Sequence, residues 1–235
     1  MSNPGIKKLF KERSLMEEDS LDDLGIYIKF DDSNIKNVRV MIMGPADTPY
    51  EGCFLFIHLV FDDNYPFAPP NATFMNQYRN VRFHPNLYSE GKVCLSILGT
   101  WAGPGWTAMM NIKVIVTSIQ SLLSEYPIRQ EPSYENIEAT NPKCINYNII
   151  VGWYVLELAI LKVLQTPLAG FEDFHDIMIK KFIENHTKYS KQIDNYKQYD
   201  GQTITSVYNM SQTINVGKLR ETFDMLTIRF IPLNS

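Results

Sequence analysis

Three runs of β-branched and aromatic residues constrain this chain most: Gly25-Ile-Tyr-Ile-Lys-Phe30, Asn37-Val-Arg-Val-Met-Ile-Met43 and Cys53-Phe-Leu-Phe-Ile-His-Leu-Val-Phe61. Turn-forming clusters separate them: Asp31-Asp32-Ser33-Asn34, then Gly44-Pro45 with Pro49, then Asp62-Asp63-Asn64. Runs of this composition read as strands, and gaps this short leave no room for a crossover helix. The strands must therefore return antiparallel, as a meander, with Ala72-Thr-Phe-Met75 as a fourth. His58 lies inside a strand with no second ligand at useful spacing, so it reads as structural rather than metal-binding.

Helical signals bracket this sheet. Residues 4–18 carry Ile6, Leu9, Phe10 and Leu15 near helical spacing, with Pro4 in the tolerated first turn. A solvated helix and a partner-binding one fit that pattern equally. Asn111 is a candidate N-cap for a helix buried along Ile112, Ile115, Ile119, Leu122 and Leu123, which Pro127 must end. From Pro142 the spacing of Ile145, Ile149, Trp153, Leu156 and Ile160 predicts a helix ended by Thr166-Pro167. A second is expected from Phe171 and Phe174 through Tyr189 to Tyr196, and a last one over Lys218–Phe230. The polar stretch 201–216 reads as loop. The one membrane candidate, Ile149–Leu164, is about a turn short of a span and contains Glu157 and Lys162, so it reads as a buried helix. Strands followed by helices give an α+β chain.

Composition removes several function classes. The 235 residues are 45% apolar and 20% charged, enough for one core with an annex and too apolar for general disorder. A formal charge of −4, with no basic stripe, argues against nucleic acid. Lys7, Lys8, Lys11 and Arg13 are followed at once by Glu17, Glu18, Asp19, Asp22 and Asp23, a pattern suited to protein contacts. Three scattered cysteines (Cys53, Cys94, Cys144) make no disulfide framework, and the first residues lack the apolar core of a secretory signal. Both point to a reducing compartment with a thiol available for chemistry.

That chemistry concentrates in residues 81–134. Phe83-His-Pro-Asn86 leads to a Gly91-Lys92 turn and then Cys94, with Trp101 and Trp106 downstream and Glu131-Pro132 beyond the next helix. Pro85 and Gly91 fix the backbone, and Cys94, Asn86 and His84 carry reactive groups; the arrangement reads as an exposed acyl-carrying cysteine on a rigid loop. Tyr65-Pro-Phe-Ala-Pro-Pro70 is a stiff loop in which pattern alone favours inward packing of Phe67. Cys53 and Cys144 read as buried.

Four segments together resemble the core of the ubiquitin-conjugating enzymes: Gly44-Pro45-x-Asp47-Thr48-Pro49-Tyr50-Glu51-Gly52, Tyr65-Pro66-Phe67-x-Pro69-Pro70, Phe83-His84-Pro85-Asn86 and Gly91-Lys-Val-Cys94-Leu-x-Ile-Leu98. The long Leu95–Trp106 connection, Ser118-Ile-Gln-Ser-Leu-Leu and Glu131-Pro132-x-Tyr134-Glu135 resemble the large type-Z members, which carry helices after the core. The resemblance implies the UBC fold: an N-terminal helix, a four-stranded antiparallel meander, an active-site loop, a central helix and further C-terminal helices. It divides the chain into a core at 1–150 and a helical extension at 151–235.

It also implies roles. Cys94 would take ubiquitin or a ubiquitin-like protein from an activating enzyme as a thioester and pass it to a lysine amine, directly or with a ligase. Asn86 would donate to the developing oxyanion or hold the loop, two roles left open. Glu131 is a candidate for orienting the amine or a solvated loop charge. His84 would be structural, and Ser96 stands where several members carry an acid, so no acidic gate is expected there. Lys7, Lys8 and Lys11 correspond to the activating-enzyme contact, and Phe67, Ala108 and Met109 to the ligase contact. Thr107-Ala108 stands where RING-pairing members often have proline. No metal or cofactor is implied, since ATP is used by the activating enzyme; the partners are ubiquitin, activating enzyme, ligase and substrate, with no nucleic acid or membrane. A cytoplasmic location is expected, with the nucleus open. The competing classes are a silent UBC-fold scaffold and a thiol hydrolase that would release ubiquitin.

Overall fold

The computed structural model describes residues 3–231. The first two residues, and the last four of the 151–235 extension, lie outside the described residues. Helix α1 (Pro4–Glu18) begins where the Asn3 side chain accepts from the Gly5 and Ile6 backbone amides. Its buried face is Leu9 and Glu12, whereas Phe10 and Leu15 turn outward at 55% and 51% exposure. The apolar stripe read from spacing is therefore only partly the packed one, because a buried carboxylate takes a core position.

Strands β1 (Ile26–Phe30), β2 (Asn37–Met43), β3 (Phe54–Val60) and β4 (Asn71–Phe74) form an antiparallel sheet in chain order. Val40 lies opposite Ile28 on one side and Ile57 on the other, which fixes Val38, Val40 and Ile42 on one buried face. Helix α2 (Ile112–Leu122), capped by the Asn111 side chain on Val114 N, contacts β2. The opposite face carries Met41, Phe54 and Phe56, also fully buried. An antiparallel sheet with one solvated face would alternate; β3 is apolar on both sides because both sides are covered.

That second cover comes from beyond residue 165. Phe171 and Phe174 pack on Phe56 at 5.2 and 6.3 Å between ring centroids. Arg39 reaches the Gly170 carbonyl at 2.7 Å and Asp173 at 2.9 Å. Helix α3 (Pro142–Gln165) leads there, followed by α4 (His175–Glu184), α5 (His186–Asn195) and, after a hairpin, α6 (Val216–Phe230). Tyr189 of α5 donates to the Gly52 carbonyl at 2.8 Å. Gly52 has φ +76°, and a Cβ there would lie 2.7 Å from the Tyr189 ring, so only glycine fits. The expected division at residue 150 falls inside α3, and one contiguous apolar core runs from Leu9 to Leu226.

Helix α3 ends at Gln165, before Thr166-Pro167 as expected; at 24 residues it is long and apolar enough to cross a membrane, contrary to the length expected, and 67% of its most apolar window is buried within the fold, as read. Two further expectations change. The single helix expected from Phe171 to Tyr196 is instead two that meet at Asn185, whose side-chain and backbone amides both donate to the Lys181 carbonyl, at 2.9 and 3.0 Å. Within 201–216, β5 (Thr203–Thr205) and β6 (Ser211–Thr213) form a hairpin. Cross-strand hydroxyl pairs, Thr203 with Thr213 at 2.8 Å, supply there what apolar alternation usually does.

Candidate active site

The chain from His84 to Cys94 folds back on itself. Leu87 bridges both His84 and Val93, and Gly91 N donates to Tyr88 O at 3.0 Å. Asn86 then grips the cysteine twice: Cys94 N donates to Asn86 O at 2.9 Å, and Asn86 Nδ2 donates to Cys94 O at 2.9 Å. Downstream, Thr100 Oγ1 donates to Val93 O at 2.6 Å and accepts from Leu95 N at 2.9 Å. The nucleophile sits between two short hydrogen-bonded closures.

Those closures overturn the expectation of an exposed thiol. Cys94 retains 1% exposure, because the chain on either side is drawn back against it. It nevertheless stands outside the contiguous apolar core to which Val93 and Leu98 belong. Attack at the sulfur therefore requires a local opening, not unfolding of the core. Of the two roles left open for Asn86, the contact made here is loop-holding; its second Nδ2 hydrogen is uncommitted and its Oδ1 is buried without a partner.

His84 is wholly buried, and its Nδ1 accepts from Asn86 N at 2.9 Å. Burial pulls its pKa down to about 3, so the ring is neutral and serves the turn. The other nitrogen lies beside the Leu122 carbonyl, which already accepts from Gln130 at 2.7 Å, and makes no well-formed bond. Tyr50, from the Gly44–Gly52 segment, braces the same turn by donating to Phe83 O at 2.6 Å.

Glu131 is not a free loop charge. Its Oε2 accepts from Tyr208 Oη at 2.5 Å and lies 3.9 Å from Arg82. Arg82 donates to Pro85 O at 2.5 Å, inside the His-Pro-Asn turn, and stacks between the Tyr88 and Tyr208 rings at 3.7 and 4.2 Å. Neither Arg82 nor Tyr208 was legible as a site residue, since a lone arginine before the turn and a tyrosine in a polar tail carry no spacing signal.

The surface residues divide. Lys7 and Lys11 are exposed, but Lys8 Nζ is committed to the carbonyls of Ala108 and Met110 at 2.7 and 2.6 Å. Glu12, 5% exposed, accepts from Tyr65 Oη and from Ile112 N, and Trp106 Nε1 donates to Pro66 O at 2.7 Å. Helix α1, the 65–70 loop and the 106–111 loop are thus tied by buried polar bonds. On top of them Phe67 is 76% and Met109 91% exposed, with Ala108 also outward. The expected inward packing of Phe67 fails; in this loop Tyr65 is the buried aromatic, packed against Trp106 at 6.1 Å between ring centroids. Cys53 and Cys144 are buried, and burial pushes the Cys53 thiol up to about 12. Among the described residues, no three His, Cys, Asp or Glu side chains converge on a cation site.

Residues 8–147 match the family described as ubiquitin-conjugating enzyme. The chain is 35% identical over 181 residues to ubiquitin-conjugating enzyme E2 Z of Homo sapiens, covering 77% of this chain and 51% of that protein. It is 36% identical over 166 residues to E2 Z of Danio rerio, covering 70% of this chain and 50% of that one. It therefore spans about half the length of the curated relatives it matches. Among solved structures, the E2 domain of a Toxoplasma gondii ubiquitin conjugating enzyme superposes with a TM-score of 0.51 at 26% identity, covering 65% of this chain and 97% of that one.

Proposed function

The chain belongs to the ubiquitin-conjugating enzyme family, similar to its type-Z members, and from that premise we propose that Cys94 carries ubiquitin or a ubiquitin-like protein as a thioester. The observation that carries the reading is the pair of hydrogen bonds between Asn86 and the backbone of Cys94, which fixes one thiol on a closed loop outside the apolar core. The thiolate attacks the carbonyl of the modifier held on the activating enzyme; the new C–S bond forms as that enzyme's thiolate leaves. Exchange between thioesters is close to thermoneutral, so ATP is spent upstream and the chain needs no cofactor. A lysine amine then attacks the same carbonyl, Cys94 leaves as thiolate, and the amine's proton passes to solvent. A free Nδ2 hydrogen of Asn86 suits the oxyanion that develops, a contact worth about 2.7–4 kcal/mol when well aimed.

Further parts of the reading rest on position. Lys7 and Lys11 on α1 face an activating enzyme, Lys8 shapes that surface from beneath, and Phe67, Ala108 and Met109 offer an apolar step to a ligase. Glu131 orients the incoming ammonium. A reducing compartment, the cytoplasm with the nucleus as a second location, suits three free cysteines.

The 1% exposure of Cys94 favours one rival, a silent UBC-fold scaffold. Incubation with activating enzyme, ATP and modifier, read on non-reducing gels, separates them. We expect a thiol-sensitive adduct, converted to a thiol-resistant oxyester in Cys94→Ser. No adduct across a panel of modifiers and activating enzymes would leave the scaffold.

A further inference from the structure

The C-terminal hairpin reaches Arg82 and Glu131, on the segments that flank the Cys94 loop in sequence. Its strands β5 and β6 are held on α3, where Asn146 donates to Thr205 O at 3.0 Å. Its tip, residues 206–210, closes through Ser206 N on Met210 O at 2.9 Å. Tyr208 and Asn209 at that tip both take the left-handed conformation, with φ of 59° and 55°. Met210 N donates to Val207 O at 3.3 Å, so the two residues form the centre of the tight turn that hairpin twist favours, where asparagine is a usual occupant and tyrosine is not.

The contacts are specific. Tyr208 Oη donates to Glu131 Oε2 at 2.5 Å, and its ring lies on the Arg82 guanidinium. Met210 Sδ accepts from Arg82 N at 3.3 Å, and Tyr147 of α3 donates to Arg82 O at 3.2 Å while packing edge-on against Tyr208. Arg82 in turn bonds Pro85 O, next to Asn86, which bonds Cys94. A continuous chain of contacts thus joins the hairpin tip to the nucleophile's loop. Within it, Glu131 Oε1 makes no hydrogen bond or ion pair among the described residues. Burial, and then the Glu131 carboxylate, push the Tyr208 phenol upward, so it remains a donor at every working pH.

We propose that Tyr208 is a positioning residue for transfer: its hydroxyl pins Oε2 of Glu131 and leaves Oε1 to receive the ammonium of the incoming lysine. This rests on the functional reading above and assigns the C-terminal hairpin a place in it. The hairpin is part of the acceptor site, supplied by the extension rather than by the family core. An ammonium held at Oε1 is oriented toward the thioester before it loses its proton, which is a proximity effect and not one on acyl exchange at sulfur. Water attacking the same thioester gains nothing from it.

The test separates charging from discharge. Wild type, Tyr208→Phe, Glu131→Gln and the double variant are charged, the activating enzyme is quenched, and loss of thioester is followed over a range of free lysine concentrations and pH. Tyr208→Phe keeps the ring on Arg82 and removes only the donor. We expect unchanged charging, unchanged hydrolysis and discharge to lysine slowed about tenfold, the loss of one oriented, charge-assisted contact. The lysine concentration for half-maximal rate should rise, the pH profile should shift with it, and the double variant should be no slower than Glu131→Gln. Wild-type or faster discharge in Tyr208→Phe, an unaffected Glu131→Gln, or additive losses would each overturn the inference. Failure of wild type to charge would instead overturn the functional reading, and this assignment with it.

Discussion

Glu12 offers the sharpest test of how the α1 surface is built. Its carboxylate is buried between Tyr65 Oη and Ile112 N, with Lys8 Nζ 3.9 Å away. In Glu12→Ala, two donors that are themselves buried lose their partner. At about 1–3 kcal/mol for each unsatisfied group, the loss is roughly 2–6 kcal/mol. That is a large share of the roughly 5–15 kcal/mol that holds a domain folded. Glu12→Gln behaves differently: its amide oxygen can accept from Ile112 N while its NH₂ donates to the Tyr65 hydroxyl, which rotates to suit.

The pH dependence discriminates further. Burial raises the Glu12 pKa above its ordinary 4.5, outweighing the bonds from Tyr65 and Ile112 and the charge of Lys8, which lower it. Between the unfolded and folded values the native state holds the extra proton, so stability falls as pH rises through that window. The contribution is fully present below about pH 4.5 and is lost above the raised value. Glu12→Gln has no proton to lose. Urea denaturation from pH 4.5 to 8 should therefore show the glutamine variant gaining on wild type as pH rises, with alanine well below both. Parallel wild-type and glutamine curves, or a glutamine variant as weak as alanine, would refute the reasoning.

Asn86→Ala keeps the backbone bond to Cys94 N but removes the side-chain bond to Cys94 O and the proposed oxyanion donor; single-turnover discharge to lysine should slow by about 10²–10³, and near wild-type discharge would argue against either side-chain role. Gly152→Ala places a Cβ 2.5 Å from Tyr196 Oη, which holds the Ile149 carbonyl; the overpacking should cost about 1–3 kcal/mol in thermal unfolding, and Tyr196→Phe should recover much of it. Phe174→Ala uncovers the second face of the sheet and should cost about 3–5 kcal/mol in urea, whereas a loss near zero would mean the extension adds nothing to the core. Iodoacetamide at pH 8, read by peptide mass spectrometry, should spare Cys53, whose thiol burial holds near 12, while Cys94 reacts at a rate set by local opening. Modification of Cys53 before Cys94 would contradict that order.

Much of the frame could be read without coordinates. The four-stranded order, the Asn111 cap and the start of α1 at Pro4 rest on local signals: turn residues between strands, a side-chain acceptor before a helix, a proline in a first turn. Local signals failed where a residue's partner is distant. Threonine pairs ten residues apart made strands of a polar tail. Tyr65, packed against Trp106, and not Phe67 is the buried aromatic of its loop, which no periodicity reports.

The site divides the same way. Cys94, Asn86 and His84 are near neighbours in sequence, so the turn that unites them is encoded where they stand, and a proline and a glycine suffice to shape it. The accessibility of the thiol, the deployment of Lys8 beneath a loop 100 residues away, and the grip of Tyr208 on Glu131 across 77 residues are set by packing. Burial and hydrogen-bond partnership depend on which surfaces meet, and only the folded chain brings residues 82, 131 and 208 to one place.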